Sequence, residues 1–166
     1  GHVSRARVAP RPGVDPRLVD NCPELLAEAA APAGRCRPWD LNAGLPPEAR
    51  EAALLLSSFA LHWLKAPEQQ LRHWCEQLLP GGWLALAVPL QGSFTSWHQA
   101  AEGAGVACSA LPLPREVDLL AALPPGCRPH RQQRLRFSCR YPSAMAFLAE
   151  LKRHGVNGGA SAQLSP

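Results

Sequence analysis

Residues 53–89 constrain the fold more than any other stretch of this chain. Ala53-Ala-Leu-Leu-Leu-Ser-Ser-Phe-Ala-Leu-His-Trp-Leu64 is followed by a polar and apolar run from Pro67 to Leu79, then Pro80-Gly81-Gly82 and Trp83-Leu-Ala-Leu-Ala-Val88. Ala53 to Leu56 is apolar without alternation, as in a parallel strand covered on both faces. Four such residues could also belong to a buried helix, and length and flanks favour the strand. From Pro67, a proline suited to a first helical turn, Leu71, Trp74, Cys75, Leu78 and Leu79 recur at i, i+3, i+4, i+7 and i+8. That spacing predicts an amphipathic helix, with Gly81 and Gly82 as its stop and Trp83 to Val88 as a second strand. Strand, helix, strand is the unit from which parallel sheets are wound.

Composition fits a globular α/β domain. The 166 residues are 46% hydrophobic and 18% charged, enough apolar material for a core and too little charge for a disordered chain. No apolar run approaches the roughly 18 residues that cross a bilayer, and the first seven residues lack the apolar centre of a secretory signal. The six cysteines form no C-x-x-C pair, so neither a zinc site nor a disulfide framework is expected, and reduced thiols in the cytoplasm are. The net charge of +4 concentrates at Arg5, Arg7, Arg11 and Arg17 and at Arg128, Arg131, Arg134, Arg136 and Arg140. Arg134 and Arg136 alternate with Leu135 and Phe137, the pattern of a strand with one wet face, and no RNA-binding or helix-turn-helix signature accompanies them. No nucleic-acid and no membrane partner is expected. An acidic carrier protein would suit the same charges.

Along the chain, residues 1–16 are rich in Arg, Pro and Gly and read as an extended or disordered arm, residues 17–157 as an α/β domain, and 158–166 as a flexible tail. Leu18-Val19-Asp20 ends a short strand. Asn21-Cys22-Pro23-Glu24 opens a helix, with a polar cap candidate, an early proline and an acid in the first turn. Cys36 to Leu41 holds a short strand and turn. Ser93 or Thr95 is a cap candidate for a helix through Ala101 that Gly103 and Gly105 end. A short helix spans Glu116 to Leu123, Gln132 to Tyr141 reads as an alternating strand, antiparallel near a sheet edge, and Pro142 starts a last helix that Gly155 ends.

An α/β sheet binds a nucleoside cofactor outside the carboxyl ends of its strands, where an acid can accept both ribose hydroxyls. Asp20 is placed for that and, taken alone, equally for capping a helix. Ser57-Ser58-Phe59-Ala60-Leu61-His62-Trp63 resembles the Ser-Asn-x-Ala-x-x-Trp signature of class I S-adenosylmethionine-dependent methyltransferases. Leu18-Val19-Asp20-Asn21-Cys22-Pro23-Glu24-Leu25-Leu26 is similar to their second strand end, and Asp40-Leu41 with Leu45-Pro46 to their Asp-Leu/Ala-x-x-Leu-Pro segment. The resemblance implies a Rossmann-like three-layer α/β sandwich with a mostly parallel sheet. It also implies S-adenosylmethionine as cofactor, with Asp20 on the ribose, Asp40 and Leu41 at the adenine, and Ser57, Ser58 and His62 lining the cofactor. Alone, Asp40 would be a turn aspartate, His62 a surface or satisfied histidine and Trp63 a core residue.

The C-terminal half narrows the likeness. Gly92-Ser93-Phe94 with Trp97, the Arg115 to Leu120 insertion and the ending Leu151-Lys152-Arg153-His154-Gly155-Val156-Asn157 are similar to malonyl-acyl-carrier-protein O-methyltransferases of biotin synthesis. The implied acceptor is the free carboxylate of malonyl-acyl-carrier protein or malonyl-CoA, with Trp63, Phe94 and Trp97 as apolar walls and Arg115 as the cation for the carboxylate. Taken by itself, Arg115 reads as a surface arginine. A carboxylate nucleophile is already ionised at neutral pH, so no catalytic base is expected. The family's glycine-rich loop after the first strand is missing, with Arg11-Pro12-Gly13-Val14-Asp15 the nearest candidate, and relatives continue into one more strand beyond Asn157. The expectation is an incomplete domain, a fragment or shortened product unless Val3 to Val8 replaces the lost strand, with weak or no cofactor binding. Another small-molecule carboxyl methyltransferase, of the aconitate type, and a non-catalytic binding relative are the alternatives.

Overall fold

The computed structural model describes residues 16–28, 34–108 and 110–153. Its elements in chain order are β1 (Leu18–Asp20), α1 (Pro23–Glu28), β2 (Cys36–Pro38), β3 (Ala52–Ser58), α2 (Pro67–Glu76), β4 (Leu78–Ala87), α3 (Thr95–Gly103), α4 (Glu116–Ala121) and α5 (Ala144–Arg153). Single 3-10 turns at Leu41–Ala43, Pro47–Ala49 and Leu61–Trp63 join them. Two compact units result, one reaching up to Trp39 and resuming at Pro129, the other Asp40–Arg128. The expected arm before residue 16, the tail from 158 and the Gly155-Val156-Asn157 ending lie outside the described residues.

In the first unit β1 and β2 pair in parallel, Leu18 opposite Cys36 and Asp20 opposite Pro38. The helix between them starts where Pro23 fixes the backbone, and Leu26 turns its apolar side inward, 6% exposed. Just before this start Asp20 Oδ1 accepts from the Cys22 N–H at 2.9 Å, a local side-chain to backbone bond. Helix α5 is capped by Ser143, whose Oγ accepts from the Ala146 N–H at 3.1 Å. The expected strand over Gln132 to Tyr141 does not form. These residues join no ladder and are exposed throughout. Alternation makes a strand only where a neighbour supplies the hydrogen bonds, and among the described residues none does.

The second unit is the strand, helix, strand unit read from the sequence. β3 and β4 run parallel, with Leu55 opposite Leu84 and Ser58 opposite Ala87. Helix α2 lays Leu71, Trp74 and Cys75 against Leu61, which is fully buried, and Leu119 of α4. Leu55, Leu84 and Leu86 pack onto this cluster from the sheet, and Leu41, Leu45, Val88 and Leu90 from the flanking turns.

Three expectations are corrected here. The glycine pair does not stop the helix, which closes at Gln77. Pro80-Gly81-Gly82 lies inside β4, where the register slips between the Ala52–Leu78 and Leu54–Trp83 pairs. Gly81 takes a φ of 79°, and a Cβ on Gly82 would approach the Leu79 and Ala52 carbonyl oxygens at 2.9 and 3.0 Å. A bulge needs residues of this kind, because its extra residue forces the backbone into close or left-handed geometry. The second correction concerns burial: β3 is covered on one face, while Leu54 and Leu56, with Trp83 on β4, remain 53–55% exposed. Neither Ser93 nor Thr95 caps α3. Phe94 occupies the cap position with a φ of 58°, and the Thr95 hydroxyl donates to the Gly92 carbonyl at 2.9 Å.

Leu61→Ala would leave a cavity at the centre of this cluster, and urea unfolding is expected to register a loss of about 3 kcal/mol. Leu54→Thr on the exposed face is expected to change stability by less than about 0.5 kcal/mol.

Candidate functional site

At the carboxyl ends of β3 and β4 the second unit departs from regular backbone, as it does also at Glu51, with a φ of 54°, and at the Gly81 bulge. At the end of β3 the Phe59 N–H makes a last bond to the Ala87 carbonyl at 2.8 Å, and Phe59 then enters the left-handed region with a φ of 55°. A phenylalanine there costs roughly 1–2 kcal/mol, since its Cβ crowds the next carbonyl. Such strain collects at functional turns. Its geometric effect is to send the chain straight into the Leu61–Trp63 turn, which anchors Leu61 in the core and sets His62 and Trp63 beside the strand end. Their rings lie 4.8 Å apart, and Phe59 meets His62 edge-on at 6.4 Å.

Ser57 Oγ and His62 Nδ1 are buried without a hydrogen-bonding partner among the described residues. Each such atom costs about 1–3 kcal/mol, so its position calls for an explanation that packing does not supply. Burial also pulls His62 down to about 4 from its usual 6.5, which keeps the imidazole neutral at physiological pH. Ser58 is half-buried one residue further along β3.

A second backbone turn joins this edge. Asp40 caps the Leu41–Ala43 turn: one carboxylate oxygen accepts from the Asn42 N–H and from its side-chain amide, both at 2.9 Å. These two bonds, aided by Lys65, hold the exposed Asp40 carboxyl below its ordinary range. Asn42 completes the link, accepting from the Lys65 N–H at 2.9 Å and from the Gln70 side chain at 3.4 Å. The turn bearing Asp40 and Leu41 is thereby tied to the segment that follows His62 and Trp63. Sequence reasoning passed over Asn42; its signal was an aspartate and an asparagine two residues apart, a spacing that favours local side-chain to backbone bonds.

The remaining expected residues fall elsewhere. Asp20 belongs to the first unit, half-buried and oriented by its bond to Cys22. Phe94 is 49% exposed at the start of α3. Trp97 lines an apolar cleft of about 280 Å³ with Ala100, Ala101, Val106, Ala107 and Cys108. Arg115 is engaged in a forked pair with Asp118, at 2.6 and 2.7 Å, three residues on. The Gln91 N–H donates to the Pro114 carbonyl at 2.9 Å, so the segment after β4 and the start of α4 are joined. No group of three potential metal ligands exists among the described residues, and no described helix is long and apolar enough to cross a membrane.

Parallel strands linked by helices, in two short sheets, are compatible with an incomplete Rossmann-like α/β fold. The chain is related to the class I S-adenosylmethionine-dependent methyltransferases. Over 164 residues, 94% of its length, it is 33% identical to a biotin biosynthesis bifunctional protein of Bordetella avium, of which it covers 33%. Over 101 residues, 61% of its length, it is 31% identical to trans-aconitate 2-methyltransferase of Mycobacterium tuberculosis and of Mycobacterium bovis, covering 37% of each. The chain thus spans about a third of the length of these curated relatives. No family profile matches it, and no solved structure does.

The His62 imidazole generates a directional pH effect. The unfolded chain takes up a proton near pH 6.5, whereas the folded protein resists until about 4. Stability attributable to this group is full above pH 6.5 and falls as the pH drops through that window. Thermal unfolding of the wild type against His62→Gln between pH 7.5 and 4 is expected to show a difference that changes across the window and is level above it.

Proposed function

We propose that the β3 and β4 edge is the cofactor side of an S-adenosylmethionine-dependent carboxyl methyltransferase whose acceptor is the free carboxylate of a malonyl thioester, carried on acyl carrier protein or coenzyme A. The observation that carries this reading is the pair of buried, partnerless atoms, Ser57 Oγ and His62 Nδ1, beside the left-handed Phe59. A bound polar group would satisfy both, and a nucleoside bearing an amino acid arm offers donors and acceptors. A neutral imidazole also suits a cationic sulfonium, which a protonated one would repel. In this reading Asp40 and Leu41 face the adenine, and Ser57, Ser58 and His62 line the methionine arm.

When bound, the cofactor supplies an electrophilic methyl group. The chain's own residues then have three tasks: to hold the acceptor carboxylate in line, to exclude water and to keep local charge balanced. No base is required, because the acceptor is ionised before it arrives. Trp63, Phe94 and Trp97 offer the apolar walls. Arg115 can meet the acceptor only by sharing or leaving Asp118, whose carboxyl it holds low by its paired hydrogen bonds. Support for a malonyl acceptor over a free tricarboxylic acid comes from the extent of the likeness to the biotin protein, which runs through the C-terminal half. A smaller carboxylic acid is the second acceptor to assay, and a binding role without catalysis is the reading left if the cofactor is refused.

Calorimetric titration with S-adenosylhomocysteine is the test. Weak but saturable binding is expected, weakened about tenfold by Ser57→Val through the loss of one hydrogen bond. A folded chain that takes up no ligand overturns the catalytic reading. Given binding, methyl transfer to malonyl-carrier exceeding that to trans-aconitate fixes the acceptor, and the reverse order replaces it.

A further inference from the structure

Two of the six cysteines meet inside the second unit, far apart in sequence. Cys75 lies on the inner face of α2, 7% exposed and packed in one cluster with Trp74 and with Leu119 of α4. Beyond α4 the chain passes Leu123, which rests against the same cluster, and enters Pro124-Pro125-Gly126-Cys127. The Cys127 N–H donates back to the Pro124 carbonyl at 3.0 Å, and Gly126 takes a φ of 91°. Proline in the second position and a left-handed glycine in the third are the residues of a type II turn, so this reversal is written into the sequence. It returns Cys127 to α2, with the two thiols in hydrogen-bonding contact. Both are free thiols, Cys75 buried and Cys127 exposed. The turn makes no demand for cysteine at its last position, and a buried thiol needs only apolar neighbours.

We infer that Cys75 and Cys127 are a redox modification site, a thiol pair that a hydroperoxide converts into a reversible disulfide. Sulfurs already in contact need only a short further approach to reach the roughly 2 Å of a bond. Burial pushes the Cys75 thiol up to about 11 and keeps it protonated at neutral pH, whereas Cys127 is open to solvent, so oxidation begins at Cys127. The peroxide O–O bond breaks, one oxygen passes to the Cys127 sulfur as a sulfenic acid, and water or an alcohol leaves. The Cys75 sulfur then attacks the Cys127 sulfur, the S–O bond breaks, and the departing hydroxide takes the Cys75 proton to leave as water. Two thiols thus give up two electrons to one hydroperoxide, and exchange with a dithiol reverses the change. The bond ties α2 to the turn after α4, on the helix whose Leu71 and Trp74 enclose Leu61. A single reversible link of this kind is consistent with thiols that rest reduced.

The experiment treats the full 166-residue chain, reduced and shown to be folded by circular dichroism, with an equimolar amount of hydrogen peroxide. Remaining thiols are alkylated, and the chain is cut with trypsin and glutamyl endopeptidase, which place Cys75, Cys108, Cys127 and Cys139 on separate peptides for mass spectrometry without reduction. The variants are Cys127→Ser, at an exposed position, and Cys139→Ser as the control for a second exposed cysteine. Expected is a Cys75–Cys127 peptide pair as the main disulfide, released by dithiothreitol, absent in Cys127→Ser and retained in Cys139→Ser. Its yield is expected to fall by about tenfold or more when the peroxide is added in urea, because the fold no longer holds the two sulfurs together. An equal yield in urea overturns the site. So does a folded wild type in which Cys127 goes on to sulfinic acid, or pairs with Cys108 or Cys139, while Cys75 stays a thiol.

Discussion

The burial of Leu61 against Trp74 is the contact on which the rest of the second unit depends. Leu61 lies on a single 3-10 turn, and a turn of that length has no stability of its own. Its side chain is nevertheless fully buried, and so fixes the point at which the chain leaves β3 and begins its return along α2. The left-handed Phe59, the position of His62 and the approach of the Asp40 turn all follow from that anchor. Removing a leucine here would loosen more than a core, because Phe59 and His62 of the polar edge lie one or two positions away from it.

Polar and apolar economies meet at this edge in an unusual way. The exposed polar groups beside this edge find partners nearby, as the Asp40, Asn42 and Lys65 chain illustrates. Ser57 Oγ and His62 Nδ1 do not, and neither do Gln70 Oε1 and Trp74 Nε1 on α2. Local energetics therefore favour an edge that is rigid in shape and incomplete in hydrogen bonding. That combination suits recognition of a polar small molecule, since the site is already formed and what it lacks is a partner.

Much of this was legible in the residues. Pro67 and the recurrence of Leu71, Trp74 and Cys75 announced α2, because a helix that packs on a sheet needs one apolar stripe and shows it in sequence. Leu18 to Asp20 and Cys36 to Pro38 were readable as short strands from their flanks. The Pro80-Gly81-Gly82 bulge was not, since two glycines after a helix look the same whether they end it or bend the following strand; the choice is made by pairing with Ala52, far away in sequence. Gln132 to Tyr141 failed for a related reason: alternation records a preference for a pleated backbone, and a preference without a neighbouring strand produces no ladder. At the site, Asp40, Ser57 and His62 stood out by type and spacing, while Asn42 acquired its importance through Lys65 and Gln70, more than twenty residues on.

The slip in register within β4 has a mechanical consequence. One residue, Gln77, separates the end of α2 from the start of β4, and the bulge lets the strand find its partner at once despite so abrupt a change of direction. Helix and strand are consequently coupled with no slack between them, and any displacement of α2 must be transmitted to the backbone of β4. At the opposite end, β3 runs through the strained Phe59 into the single turn Leu61–Trp63. Compliance in this unit is therefore polarised: the amino ends of the strands behave as a clamp, and whatever adjustment a bound molecule demands is concentrated at their carboxyl ends.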